Sequence, residues 1–150
     1  MAIESVDFTW DGIRKLSQKN RGTNWPVVYI LYNEDTAYIG ETCNLSNRLA
    51  QHRSNKKLDS LNRAVMITDD DFNKSVTLDY EQTLIKLFKI DKKYMVRNRN
   101  RGQSACHEYY DRNLYESKMP IIWKELFSKN LTRRTYGDLI NDNMYKYSPY

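Results

Sequence analysis

The chain has 150 residues, 40% hydrophobic and 29% charged, with a formal net charge of +5. That length allows one domain with a core of its own, and the positive balance leans towards a polyanionic partner without requiring one. Two cysteines, Cys43 and Cys106, exclude a four-cysteine zinc site and read as free thiols of a reducing compartment.

No apolar run is long enough to cross a bilayer: the longest lies near Val27 to Tyr32. The opening MAIESVDF lacks the basic-then-apolar pattern of a leader. The expected location is the cytoplasm, with no membrane partner. Of the aromatic residues, 12 are tyrosine against 4 phenylalanine and 3 tryptophan. That bias suits half-buried sites where a ring packs and a hydroxyl does polar work.

In chain order, Phe8, Trp10, Ile13 and Leu16 are roughly helix-spaced, which predicts a short helix over 10–18. KNRGTNWP ends it. Residues 27–31 read as a strand, Asn33-Glu34-Asp35 as a turn, and 36–39 as the returning strand of a hairpin that pairs the strands of Tyr29 and Tyr38. Thr42 or Asn44 can cap the next helix, which runs to about Ser54. Residues 64–67 form a further strand. Asp69-Asp70-Asp71 reads as a solvated loop, with a metal cluster as the sharper alternative.

A long helix is expected over 76–90. Lys86, Lys89, Lys92, Lys93, Arg97, Arg99 and Arg101 then crowd together, with Asp91 as the opposing charge. Residues 107–118 look helical, Pro120 fits the first turn of another helix, and Tyr136 to Ile140 form a short one. The fold class is α/β (α+β): a small three-stranded mixed or antiparallel sheet flanked by helices. Residues 1–105 form the core, and 106–150 a helical C-terminal extension packed on it.

Two helices carry polar groups on apolar faces. Leu45, Arg48, Leu49 and His52 share one arc of the first. Glu81, Leu84, Ile85 and Phe88 repeat the spacing on the second. A buried, unpaired carboxylate costs several kcal/mol, so Glu81 calls for a cation. One reading is a core ion pair between Arg48 and Glu81. The other is a site in which the carboxylate holds a divalent metal and the guanidinium a phosphate.

VVYIL with Tyr29, AYIG with Tyr38 and Gly40, then Arg48, His52, Glu81 and an asparagine near 98 resemble the GIY-YIG nuclease domain. The resemblance implies metal-assisted hydrolysis of a phosphodiester by water. Tyr29 would be the base, Tyr38 and His52 would orient the water or share its proton, Arg48 would be the essential arginine, and Glu81 the ligand of Mg²⁺ (or Mn²⁺). The first motif departs from the family, reading Val27-Val28-Tyr29, which bears on backbone geometry and not on reacting groups. The asparagine is Asn98 or Asn100, both within VRNRNRG; Asn98 is preferred because it follows the presumed strand Tyr94 to Arg97.

NWPVVYIL, AYIGET, FNKS, NRNRG and the ending KYSPY resemble a subgroup in which this domain precedes a P-loop ATPase or helicase-like region, the implied C-terminal partner. No P-loop motif occurs within the chain. By architecture, such proteins suggest antiphage defence or restriction, with nucleic acid, DNA first, as the substrate.

The alternative is a non-catalytic nucleic-acid-binding module with a degenerate site. It would use Lys86, Lys92, Lys93, Arg97, Arg99 and Arg101 for phosphate contacts and Tyr94 to stack. A third class is an interaction domain built on the tyrosine-rich helices of 107–127.

Overall fold

The computed structural model describes residues 1–98 and 111–147, without side chains for 143–147. Arg99, Asn100, Arg101 and Cys106 lie outside the described residues.

Five strands form one sheet: β1 (Ala2–Asp7), β2 (Val27–Tyr32), β3 (Thr36–Thr42), β4 (Arg63–Thr68) and β5 (Met95–Val96), in the order β1-β4-β2-β3-β5. The first three interfaces are antiparallel and β3/β5 is parallel. This corrects the three-stranded expectation. β1 escapes a sequence reading because it is an edge strand with Ile3 as its one fully buried residue, so no clean alternation marks it. β5 is two residues long. Tertiary bonds place it, from the Met95 N–H to the Asp35 carbonyl and from the Arg97 N–H to the Ala37 carbonyl, each 2.8 Å.

The continuous apolar run of β2 has a physical cause. The strand is central and buried on both faces, which removes the need for alternation. Val27, Tyr29 and Leu31 join Phe8, Leu45 and Leu49 beneath α1 (Trp10–Leu16), α2 (Asn20–Thr23) and α3 (Leu45–Arg53). Val28 and Ile30 face the other way, towards Val76, Tyr80 and Leu84 of α4 (Lys74–Asp91). Val27 and Val28 pair in regular register with Thr42 and Glu41, so the altered first motif leaves the ladder unbroken.

Asn44 caps α3 and Asn73 caps α4, each side chain accepting the backbone N–H three residues on, an interaction contributing about 1 kcal/mol per helix. α4 starts two residues earlier than expected because the cap at Asn73 admits Lys74 and Ser75. It ends at Lys92, which adopts the left-handed conformation with φ 62°.

α5 (Arg112–Glu116), α6 (Met119–Ser128) and α7 (Tyr136–Tyr147) add Tyr115, Ile122, Trp123, Leu126 and Leu139 to the α4-side core. α7 is longer than the short helix expected. Asp91 does not oppose the neighbouring bases. It is buried, and its carboxylate accepts the backbone N–H groups of Arg133 and Arg134 at 2.8 and 2.7 Å. Asp69, Asp70 and Asp71 each face a separate cation: the N-terminal amine, Arg21 and Lys118. They form a solvated loop, and no cluster of three metal-ligating side chains occurs among the described residues.

Candidate active site

The hairpin sets Tyr29 opposite Gly40. A side chain at Gly40 would overlap the Tyr29 hydroxyl and ring, so the glycine opens the space into which the tyrosine reaches. Leu45 and Leu49 anchor α3 in the core and turn Arg48 and His52 towards the same tyrosine. The Tyr29 hydroxyl and His52 Nε2 lie 2.7 Å apart. Tyr38 closes the group, its ring edge-on to His52 with centroids 5.1 Å apart and 6.4 Å from Tyr29.

The electrostatics set the charge state of both partners. Burial, then the charge of Arg48, lower the His52 pKa to about 4. The imidazole is therefore neutral at neutral pH, and in the tautomer with its proton on Nδ1 it accepts the Tyr29 proton at Nε2. Burial raises the Tyr29 pKa far above the ordinary phenol range, Tyr38 raises it further, and Arg48 pulls it down. Without a metal, Arg48 does not offset burial, so the resting Tyr29 is a neutral phenol. Tyr38 is shifted upwards too, by burial and by the charge of Glu81.

Glu81 approaches from α4. Its pKa is raised by burial first and then by Glu41; Gln82, the Glu41 backbone N–H and Lys74 act the other way. No Arg48–Glu81 ion pair forms among the described residues, which sets aside the core-pair reading. Glu41 is the residue that sequence reasoning missed. Both of its oxygens lie 2.7 Å from the Lys74 ammonium, and Thr77 donates to it at 3.3 Å. The signal was present: Glu41 shares strand parity with Ala37 and Ile39, a carboxylate on an apolar face, as Glu81 is on its helix.

The site thus straddles the edge of the sheet, with the tyrosines and imidazole on the α3 side and two carboxylates on the α4 side. β5 covers only Thr36 and Ala37 of β3. Beyond them, groups from both faces of the sheet approach the β3 edge.

The model of the GIY-YIG catalytic domain matches residues 26–95. No curated protein and no solved structure matches the chain. The match runs from just before β2 to the start of β5 and includes Tyr29, Tyr38, Arg48, His52 and Glu81. A GIY-YIG domain implies nuclease activity on nucleic acid.

Asn98 lies beyond the matched region. Its amide accepts the Ile39 N–H at 3.0 Å and donates to the Ile39 carbonyl at 2.7 Å. Both bonds go to the backbone of β3, so the side chain holds the strand between Tyr38 and Gly40.

The basic residues divide. Arg97 precedes Asn98 and donates its backbone N–H to the Ala37 carbonyl. Lys86 and Lys92 are exposed on and after α4, Lys92 about 16 Å along the helix axis from Glu81. Lys93 bonds to the Asn130 carbonyl. Tyr94 is not available to stack on a base. It is 8% exposed and already stacked on Phe88, with centroids 6.1 Å apart and planes 14° apart.

Proposed function

We propose that this domain is a metal-dependent endonuclease that hydrolyses phosphodiester bonds of DNA. The observation that carries the reading is the Tyr29 hydroxyl held 2.7 Å from a neutral His52 in the space left by Gly40. A neutral phenol is a poor base by itself, but a phenol that can pass its proton onward is not limited in that way.

In the proposed step a water oxygen attacks phosphorus and its proton moves to Tyr29 Oη. The Tyr29 proton moves to His52 Nε2, and the bond from phosphorus to the leaving oxygen breaks. The leaving oxygen takes a proton from solvent, and the imidazolium later returns one. Arg48 presents paired donors to the phosphate oxygens.

Glu81 fits as the metal ligand. Its carboxylate is half-buried and has no ion-pair partner among the described residues. With few carboxylates nearby, it suits a hard cation that keeps several waters, such as Mg²⁺ or Mn²⁺. When bound, the ion would stabilise charge on the phosphate and leaving oxygen.

The test is cleavage of plasmid and single-stranded DNA with Mg²⁺, Mn²⁺ or chelator. Tyr29→Phe should cut more slowly by about 10²-fold or more. Glu81→Ala should bind DNA but not cut it. Wild-type binding with no cleavage under any metal would favour a binding module, and full activity of Tyr29→Phe would end the relay.

A further inference from the structure

A second cleft opens at the opposite end of α4 from its Lys74 terminus. Its volume is about 310 Å³, and its lining includes Tyr32, Glu34, Arg63, Lys93, Tyr94 and Lys129. Tyr32 ends β2 and pairs with Arg63 at the start of β4. Lys129 leads out of α6, and the bond from Lys93 to the Asn130 carbonyl ties the two walls together.

The chemistry of this lining is one-sided. Three side chains are cationic and one, Glu34, is anionic. The Tyr32 and Tyr94 rings lie 6.0 Å apart, and neither hydroxyl has a hydrogen-bond partner among the described residues. For Tyr94 that is unusual, because the residue is 8% exposed and buried polar groups are normally partnered. No fully buried side-chain nitrogen or oxygen lacks a partner among the described residues. The Tyr94 hydroxyl is therefore reached by solvent, and the cleft it lines is the route.

We propose that this cleft is a phosphate-binding site that takes a backbone phosphate of the nucleic acid remote from the scissile bond. Arg63 supplies a planar donor fork, Lys93 and Lys129 supply charge, and the two phenols supply neutral donors. Burial raises both phenol pKa values, that of Tyr94 to about 12, so both remain donors at any working pH. Lys93 adjoins Lys92, about 16 Å from Glu81 along α4. At 3.4 Å per base along a strand, that is roughly five nucleotides from the cut. The volume is near the lower end of the roughly 300–1,000 Å³ of small-ligand pockets, enough for a phosphate with its sugar. The proposal rests on the nuclease reading only for the source of the phosphate.

The experiment measures binding in chelator, where cleavage plays no part. Fluorescence anisotropy follows a labelled DNA duplex across a salt series, and calorimetry follows AMP. Arg63→Gln combined with Lys129→Gln should weaken duplex binding about tenfold or more. It should also reduce the slope of log affinity against log salt by about 0.9 for each phosphate no longer neutralised. Lys56→Gln with Lys57→Gln, removing equal charge from an exposed turn, should do neither.

Tyr94→Phe keeps the ring and should weaken binding several-fold at an unchanged melting temperature. This variant decides the matter if the double variant does not fold. AMP that binds and competes with the duplex places the strand in the cleft. AMP that binds without competing assigns the cleft to a free nucleotide and overturns the strand. Equal duplex affinity and salt slope in the cleft variants and wild type overturn the proposal even if the domain proves to be an active nuclease.

Discussion

Gly40 is a glycine because Tyr29 occupies the space that a side chain would need. The register of β2 against β3 makes this unavoidable, since the two residues are direct partners. Gly40→Ala should force the tyrosine off its bond to His52. We expect a loss of cleavage of about 10²-fold or more and an overpacking cost of about 1–3 kcal/mol, read from turnover and urea unfolding. His52 makes a separate prediction. Its folded pKa, about 4, lies below the ordinary 6.5. Between those values the unfolded chain binds a proton that the folded chain does not, so stability should fall as pH drops from 6.5 towards 4. His52→Gln should flatten that limb in unfolding curves; an unchanged slope would show that His52 is not the group responsible. At this scale much was legible. Spacing alone sets Arg48 and His52 on the arc of Leu45 and Leu49. The bonds of Asn98 were not legible, because the partner of an amide side chain is decided by which strand edge lies beside it.

Elements with their own periodicity and caps could be read: β2, β3, β4, α3 and α4 all appear near their expected positions. β1 and β5 differ because neighbours define them. β1 has the edge of β4 to pair with, and β5 has two carbonyls of the 35–37 segment. The C-terminal helices depend on a similar tertiary device. Asp91 at the end of α4 accepts two backbone N–H groups from the segment before α7, and Trp123 Nε1 donates to the Arg134 carbonyl at 2.9 Å. Asp91→Ala would leave those amides without an acceptor. A loss of about 1–3 kcal/mol is expected. Hydrogen exchange at Arg133 and Arg134 should rise more than exchange in β2, and uniform exchange across both would contradict a local role for Asp91.

Among the described residues the sheet carries a core on each face, and the reacting groups gather at one edge. A cation bound at Glu81 should therefore stabilise the fold as a unit. Binding to the folded state alone contributes about 2.7 kcal/mol at a hundredfold excess over Kd. We expect Mg²⁺ or Mn²⁺ to raise the melting temperature of the wild type and to leave Glu81→Ala unmoved. Because burial and Glu41 raise the Glu81 pKa, the proton competes with the metal at a higher pH than for an ordinary carboxylate. The rise should shrink as the solution is acidified. A metal-induced rise of equal size in Glu81→Ala would place the cation elsewhere.

The amide of Asn98 has a further consequence. A strand edge left open for a substrate is also open to another copy of the chain, because its free N–H and carbonyl groups are a template for pairing. Asn98 occupies both groups of Ile39 with a side chain, where a neighbouring strand would use its backbone. The Ile39 groups are thereby withheld from the register that a second chain would need. Asn98→Ala should therefore make apparent mass grow with concentration more steeply than in the wild type, a change that light scattering would report before any assay of cutting.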